Sequence, residues 1–222
     1  MSIDLRLVAI LDPTVLGGRD PVSAARAAQA GGATALQLRM KDIPAGEIAT
    51  LAERLLAVMD IPLFINDRAD VALAVGATGV HLGQDDVPAA ALRAVSPPGF
   101  QIGLSVGFPD EAAIARQSRP DYWSIGPLYR TASKADAGVP LGPGGFARLA
   151  SLADRDVPVI AIGGIDASNA TAAIRAGAAG VAVISAIFSA ADVEAAARLM
   201  RSAVDAAIGQ GREPPGSRRG AP

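Results

Sequence analysis

Between Pro62 and Asp86 the chain reads PLFINDRADVALAVGATGVHLGQDD, and this stretch restricts the fold more than any other. Pro62-Leu63-Phe64-Ile65 is a short apolar strand that runs into Asn66-Asp67. Residues 69–75 form an alanine-rich helix, ended by Gly76, which accepts the left-handed backbone that other residues resist. Gly79-Val80-His81-Leu82 is the next strand, and it runs into Gln84-Asp85-Asp86. So short a crossover demands parallel neighbouring strands. Both acidic clusters therefore leave the sheet at its C-terminal rim, where parallel α/β folds bind ligands.

The same alternation runs through the chain. Strands are expected at 5–11, 35–41, 62–65, 79–82, 101–106, 122–128, 157–162 and 180–185. Helices are expected at 21–30, 45–58, 69–75, near Ala89, and at 109–117, 145–152, 168–176 and 193–208. Three echoes, GGATAL from Gly31, VGATGV from Val75 and AGAAGV from Ala176, each set a helix end just before a strand. Eight βα units in about 210 residues predict a single-domain (β/α)8 barrel, a TIM barrel of the α/β class. A doubly wound open sheet is the alternative, but no G-x-G-x-x-G follows the first strand. The barrel is expected to span 1–208. The remaining GQGREPPGSRRGAP, 209–222, lacks apolar periodicity and reads as a disordered tail.

Composition removes several classes of function. Half of the 222 residues are hydrophobic but only 4% aromatic, so Ala, Val, Ile and Leu must build the core. A net charge of −2 gives no general attraction to nucleic acid or to an anionic membrane. The absence of cysteine excludes disulfides and thiolate zinc sites, and one histidine rules out a His-rich metal centre. The start, MSIDLRLVAILD, is no signal peptide, and no run of about 20 apolar residues is present to span a membrane. A soluble, cytoplasmic protein acting on small molecules is expected, with a homo-oligomer left open.

Strand two carries the most chemistry. Side chains alternate faces along a strand. Leu36, Leu38 and Met40 would pack on the helices, leaving Gln37, Arg39 and Lys41 towards the barrel axis. Two cations buried there without an anion would cost several kcal/mol, so a strongly anionic ligand such as a pyrophosphate is the natural partner. Asn66-Asp67 and Asp85-Asp86 could each cap the following helix. Two carboxylates facing one another across adjacent strand ends instead favour a Mg²⁺ site, because like charges repel unless a cation lies between them. Strand five ends on Ser105 among small residues, either a ligand contact or a helix cap. The loop 126–145 has the length and glycine content of a lid, and its Thr131, Ser133 and Lys134 suit phosphate oxygens. Gly163-Gly164 after strand seven and Ile184-Ser185 after strand eight fit the second anion site that barrels often build there. His81, in a strand, reads as a hydrogen-bonded interior residue rather than a catalyst.

Six blocks in order, QLRMK at 37–41, INDRADVALAVGATGVHLGQDD at 65–86, LS at 104–105, GPLYRTASK at 126–134, AIGGI at 161–165 and ISAIF at 184–188, resemble the thiamine-phosphate synthase family. The resemblance covers nearly the whole chain apart from the tail. It implies a transferase of thiamine biosynthesis that joins a hydroxymethylpyrimidine diphosphate to a thiazole phosphate with Mg²⁺, giving thiamine phosphate and pyrophosphate. It further implies that Gln37, Leu38, Arg39, Met40, Lys41, Asn66, Ser105 and Lys134 contact the pyrimidine diphosphate. Among these, Arg39, Lys41, Ser105 and Lys134 would be catalytic. Asp67 and Asp86 would hold the metal, and Thr131, Ala132, Ser133, Gly164, Ile184 and Ser185 the thiazole phosphate. Ser133, Arg130 and Val106-Gly107 depart from the family's common pattern. A thiazole tautomerase-like enzyme, or a non-catalytic regulator that binds thiazole phosphate on the same barrel, would not need the magnesium–pyrophosphate set.

Overall fold

The computed structural model describes residues 3–131 and 138–211. Eight parallel strands close into one barrel in chain order: β1 (Leu7–Leu11), β2 (Ala35–Leu38), β3 (Leu63–Asn66), β4 (Gly79–Leu82), β5 (Gln101–Val106), β6 (Tyr122–Ile125), β7 (Val159–Ile162) and β8 (Gly180–Val183). The helices between them are α1 (Pro21–Ala30), α2 (Ala45–Leu56), α3 (Ala69–Ala74), α4 (Ala89–Val95), α5 (Pro109–Ser118), α6 (Gly142–Ala150) and α7 (Ala170–Arg175). A four-residue helix, α8 (Ser185–Phe188), and the long α9 (Val193–Gly211) complete the outer ring. The expected single-domain (β/α)8 barrel is the fold observed.

Period-two alternation divides the apolar residues into two layers. Leu7, Ala9, Leu11, Leu36, Leu38, Val80 and Trp123 face outward and join the helices in one large core. Val8, Ile10, Ala35, Phe64, Tyr122 and Ile160 face inward as a separate cluster. Strand register then orders the interior in depth. Two residues further along their strands from Ala35, Phe64 and Tyr122 stand Gln37, Asn66 and Ser124, so a polar layer lies above an apolar one. Gly103 makes the lower layer possible, because a Cβ there would lie 2.1 Å from Cζ of Tyr122 on the paired strand.

Several strands end earlier than expected. β2 stops at Leu38 rather than at 41 and β6 at Ile125 rather than at 128, because the chain splays into loops where the neighbouring strand ends. The Arg39 amide still donates to the Leu11 carbonyl at 2.9 Å, which keeps Arg39 in strand direction. β8 stops at Val183, and Ser185, expected as its last residue, opens α8 instead. α9 continues to Gly211, three positions past the expected end at 208. The rest of the expected tail, 212–222, lies outside the described residues.

Candidate active site

The C-terminal rim of the barrel surrounds a cavity of about 780 Å³. Gln37, Arg39, Lys41, Asn66, Asp67, Asp86, Ser105, Thr131, Gly164, Ile184 and Ser185 all line it. Leu38 does not, because its side chain is buried among the helices. Met40 also turns away and lines a smaller neighbouring hollow of about 300 Å³ that shares Lys41, Asn66 and Asp67. Ala132, Ser133 and Lys134 lie outside the described residues.

The acidic clusters are not helix caps. Among the described residues, the capping position of α3 is Arg68 and that of α4 is Pro88, with no side-chain cap hydrogen bond in either case. Asp67 instead adopts φ 62°, a left-handed position that Asp tolerates better than most residues, with its amide donating to the His81 carbonyl at 2.8 Å. One Asp86 oxygen accepts from the Gly83 amide at 2.6 Å, turning that carboxylate towards the neighbouring strand end. Burial first, and then the adjacent Asp86 carboxylate, push the Asp67 carboxyl up from 3.8 to about 6, against the opposing pull of Lys41 and Arg39. A carboxylate whose ionisation is opposed by a second carboxylate beside it presents the charge pattern a divalent cation relieves. Among the described residues no group of three His, Cys, Asp or Glu gathers to cage a metal. A pair of carboxylates is nevertheless the usual protein share for Mg²⁺, which takes its other oxygens from water and substrate phosphates.

Arg39 has an internal anion. Its guanidinium pairs with Asp12, a buried residue just past β1. The other Asp12 oxygen accepts from the Thr14 amide and hydroxyl at 3.1 and 2.6 Å, so Asp12 is itself held in place. This corrects the expectation of two unpaired cations on strand two and leaves Lys41, exposed at the rim, as the cation of that strand outside any ion pair among the described residues. Gln37 donates to the Asn66 side chain at 2.8 Å, locking two amide side chains on neighbouring strands.

Ser105 does not cap α5 either. The Glu111 carboxylate accepts from the Gly107 and Phe108 amides at 2.5 and 3.2 Å and does that work. The Ser105 hydroxyl lies 3.0 Å from Nε2 of His81, whose Nδ1 lies 3.0 Å from the Tyr122 hydroxyl. Gly164, at φ 65°, packs under the loop after β6: a Cβ there would meet the Arg130 carbonyl at 2.4 Å and Cβ of Tyr129 at 2.8 Å. The turn therefore needs glycine for its backbone and for its neighbour alike. Asp12, Tyr122 and His81 are among the polar groups that the sequence reading left out of the site, as are Gln84, Glu111, Ser124 and Asp166 on the cavity wall. Extending the alternation of Val8 and Ile10 by one step places Asp12 inside, and the same step places His81 beside Asn66.

A (β/α)8 enzyme with cations, amides and paired carboxylates on its C-terminal rim is built to handle a phosphorylated small molecule. The thiamine monophosphate synthase family model matches residues 7–187, and the chain belongs to that family of transferases. Thiamine-phosphate synthase of Methanoculleus marisnigri is 46% identical over 217 residues, covering 96% of this chain and 100% of the relative. That of Roseiflexus castenholzii is 45% identical over 194 residues, 86% and 84% of the two chains. Among solved structures, thiamine phosphate pyrophosphorylase from Pyrococcus furiosus superposes with a TM-score of 0.83 at 36% identity, covering 92% of this chain and 98% of that one. A 3-hexulose-6-phosphate synthase, 20% identical with a TM-score of 0.65, shares the fold alone. Among the described residues no helix is long and apolar enough to cross a membrane.

Proposed function

We propose that the rim cavity joins a hydroxymethylpyrimidine diphosphate to a thiazole phosphate, releasing pyrophosphate and forming thiamine phosphate. The observation that carries this reading is one cavity with Arg39 and Lys41 on one strand end and the Asp67–Asp86 pair on the next two. Cations alone would suit any phosphate; cations facing a carboxylate pair suit a diphosphate bound with a divalent ion. Asp67 and Asp86 would hold Mg²⁺, which when bound supplies positive charge against the diphosphate oxygens.

The chain's own residues then have distinct tasks. Arg39, fixed by Asp12, and Lys41 attract the diphosphate, while Gln37 and Asn66 offer paired amide groups to the pyrimidine. The carbon–oxygen bond breaks with its electron pair leaving on pyrophosphate, and the electron-rich aminopyrimidine stabilises the methylene cation left behind. Preorganised donors around the departing oxygens lower that barrier. The thiazole nitrogen then gives its lone pair to the cation. Thr131, Gly164, Ile184 and Ser185, on the opposite loops, would hold the thiazole phosphate and provide proximity. Ala132 and Ser133 would complete these contacts from the same loop, and Lys134 would reach the pyrimidine diphosphate. Both substrates carry phosphate charge and do not cross a bilayer unaided, which supports a cytoplasmic site of action.

The test is direct. Mixing the protein with both substrates and Mg²⁺ should release pyrophosphate and thiamine phosphate in equal amounts, and a chelator should stop both. Pyrophosphate release that does not need the thiazole phosphate would mean a hydrolase, and the reading would fail.

A further inference from the structure

We propose that Tyr122 and His81 are positioning residues that turn the Ser105 hydroxyl proton into the cavity, so that Ser105 acts there as a hydrogen-bond donor. The proposal rests on the reading above in one respect, that the acceptor it meets is an oxygen of the departing diphosphate.

The direction follows from the buried end of the chain. Tyr122 is 2% exposed and packed edge-on against Phe64, with ring centroids 5.5 Å apart and planes at 81°. On the adjoining strand Gly103 leaves the space that the phenol fills. A buried hydroxyl keeps its proton and must give it to an acceptor. Among the described residues its hydrogen-bond partner is Nδ1 of His81, at 3.0 Å. Tyr122 therefore donates and Nδ1 accepts. A neutral imidazole that accepts at Nδ1 carries its hydrogen on Nε2. That N–H points at the Ser105 oxygen, 3.0 Å away. Ser105 thus accepts from inside the barrel, and its own single proton is left for the cavity that it lines. Run in reverse, with Ser105 donating to His81 and His81 to Tyr122, the same three groups would strand the phenol proton in the apolar layer. Leaving a buried donor unmade costs its full desolvation penalty, and that breaks the tie.

Two further contacts hold Ser105 where the direction matters. The Gln84 side chain donates to the Ser105 carbonyl at 2.7 Å, tying the loop after β4 to the end of β5. Strand pairing puts Ser105 opposite Ser124, two positions above Tyr122 on the inner face. The result is a row of donors that runs outward, each polarising the next. A hydroxyl whose proton is aimed at the cavity discriminates: it favours an acceptor there, such as a phosphate oxygen. As negative charge builds on the leaving oxygens, such a donor grows more useful, which is the signature of a contact acting on kcat.

The chain has one histidine, so a single imidazole signal reports the proton direction without assignment. In ¹⁵N-labelled wild-type protein at about pH 8, above the ordinary imidazole range, the spectrum should show Nε2 protonated and Nδ1 bare. The opposite tautomer would overturn the proposal whatever the activity. Tyr122→Phe removes the innermost donor and should let the two tautomers mix. It should lower kcat about tenfold, the worth of one directed hydrogen bond, with KM for the thiazole phosphate unchanged. In a Ser105→Ala background the same change should cost nothing more, because Tyr122 acts only through Ser105. Equal losses in both backgrounds would mean that Tyr122 merely supports the barrel. If wild-type protein releases no pyrophosphate from the two substrates, the reading of the previous subsection fails, while the tautomer still decides the direction of the proton.

Discussion

Asp67 is half-buried at a left-handed backbone position beside a second carboxylate, and its proton affinity has a consequence for stability. Its carboxyl is pushed from 3.8 to about 6 in the folded chain. A folded state that binds a proton more tightly than the unfolded one gains stability from it below the unfolded value, near 3.8, and loses that gain as pH rises through about 6. Metal-free protein should therefore melt at a lower temperature at pH 8 than at pH 5, and Asp67→Asn should flatten that fall. Added Mg²⁺ should raise the melting temperature at pH 8 in the wild type more than in the variant. Identical pH profiles for the two proteins would show that Asp67 carries no such tension. At this scale the sequence was readable wherever strand alternation alone decides a side chain's direction, as for Gln37, Arg39 and Lys41. It was silent on the pairing of Asp12 with Arg39, because that ion pair joins two strands 27 positions apart, and nothing in a local window sets their register.

Helices and strands follow the apolar periodicity closely, since each element must bury one face against the next. The barrel order, the short crossover from β3 to β4 and the shared rim of Asp67 and Asp86 all follow from that rule. Element ends were less legible, because they depend on where a neighbouring strand stops rather than on the residue itself. α8 was hidden for the same reason: four residues are too few for a helical period to appear. α9 closes the ring by packing on α1 and α7, and Gly31 at the end of α1 is a point of close approach in that closure. A Cβ there would lie 2.4 Å from the Glu194 carbonyl and 2.6 Å from Cβ of Ala197. Gly31→Val should force α9 away from α1 and destabilise the protein by about 1–3 kcal/mol, the usual cost of overpacking. For a chain of this size that is roughly a 3–10 °C fall in melting temperature. An unchanged melting temperature would mean that α9 is free to move outward.

On the scale of the whole molecule, the interior is a floor of Val8, Ala35, Phe64, Tyr122 and Ile160 under a polar chamber. Such a barrel is a cul-de-sac. Whatever reaches the chamber from the rim has to leave by the rim, so two substrates and two products share a doorway and obey its queue. Either product, while it lingers, stands in the path of both newcomers. Added pyrophosphate or thiamine phosphate should therefore raise the apparent KM for the pyrimidine diphosphate, and initial-rate measurements at several product concentrations would register it. A product that lowered kcat alone would have to wait somewhere other than the entrance.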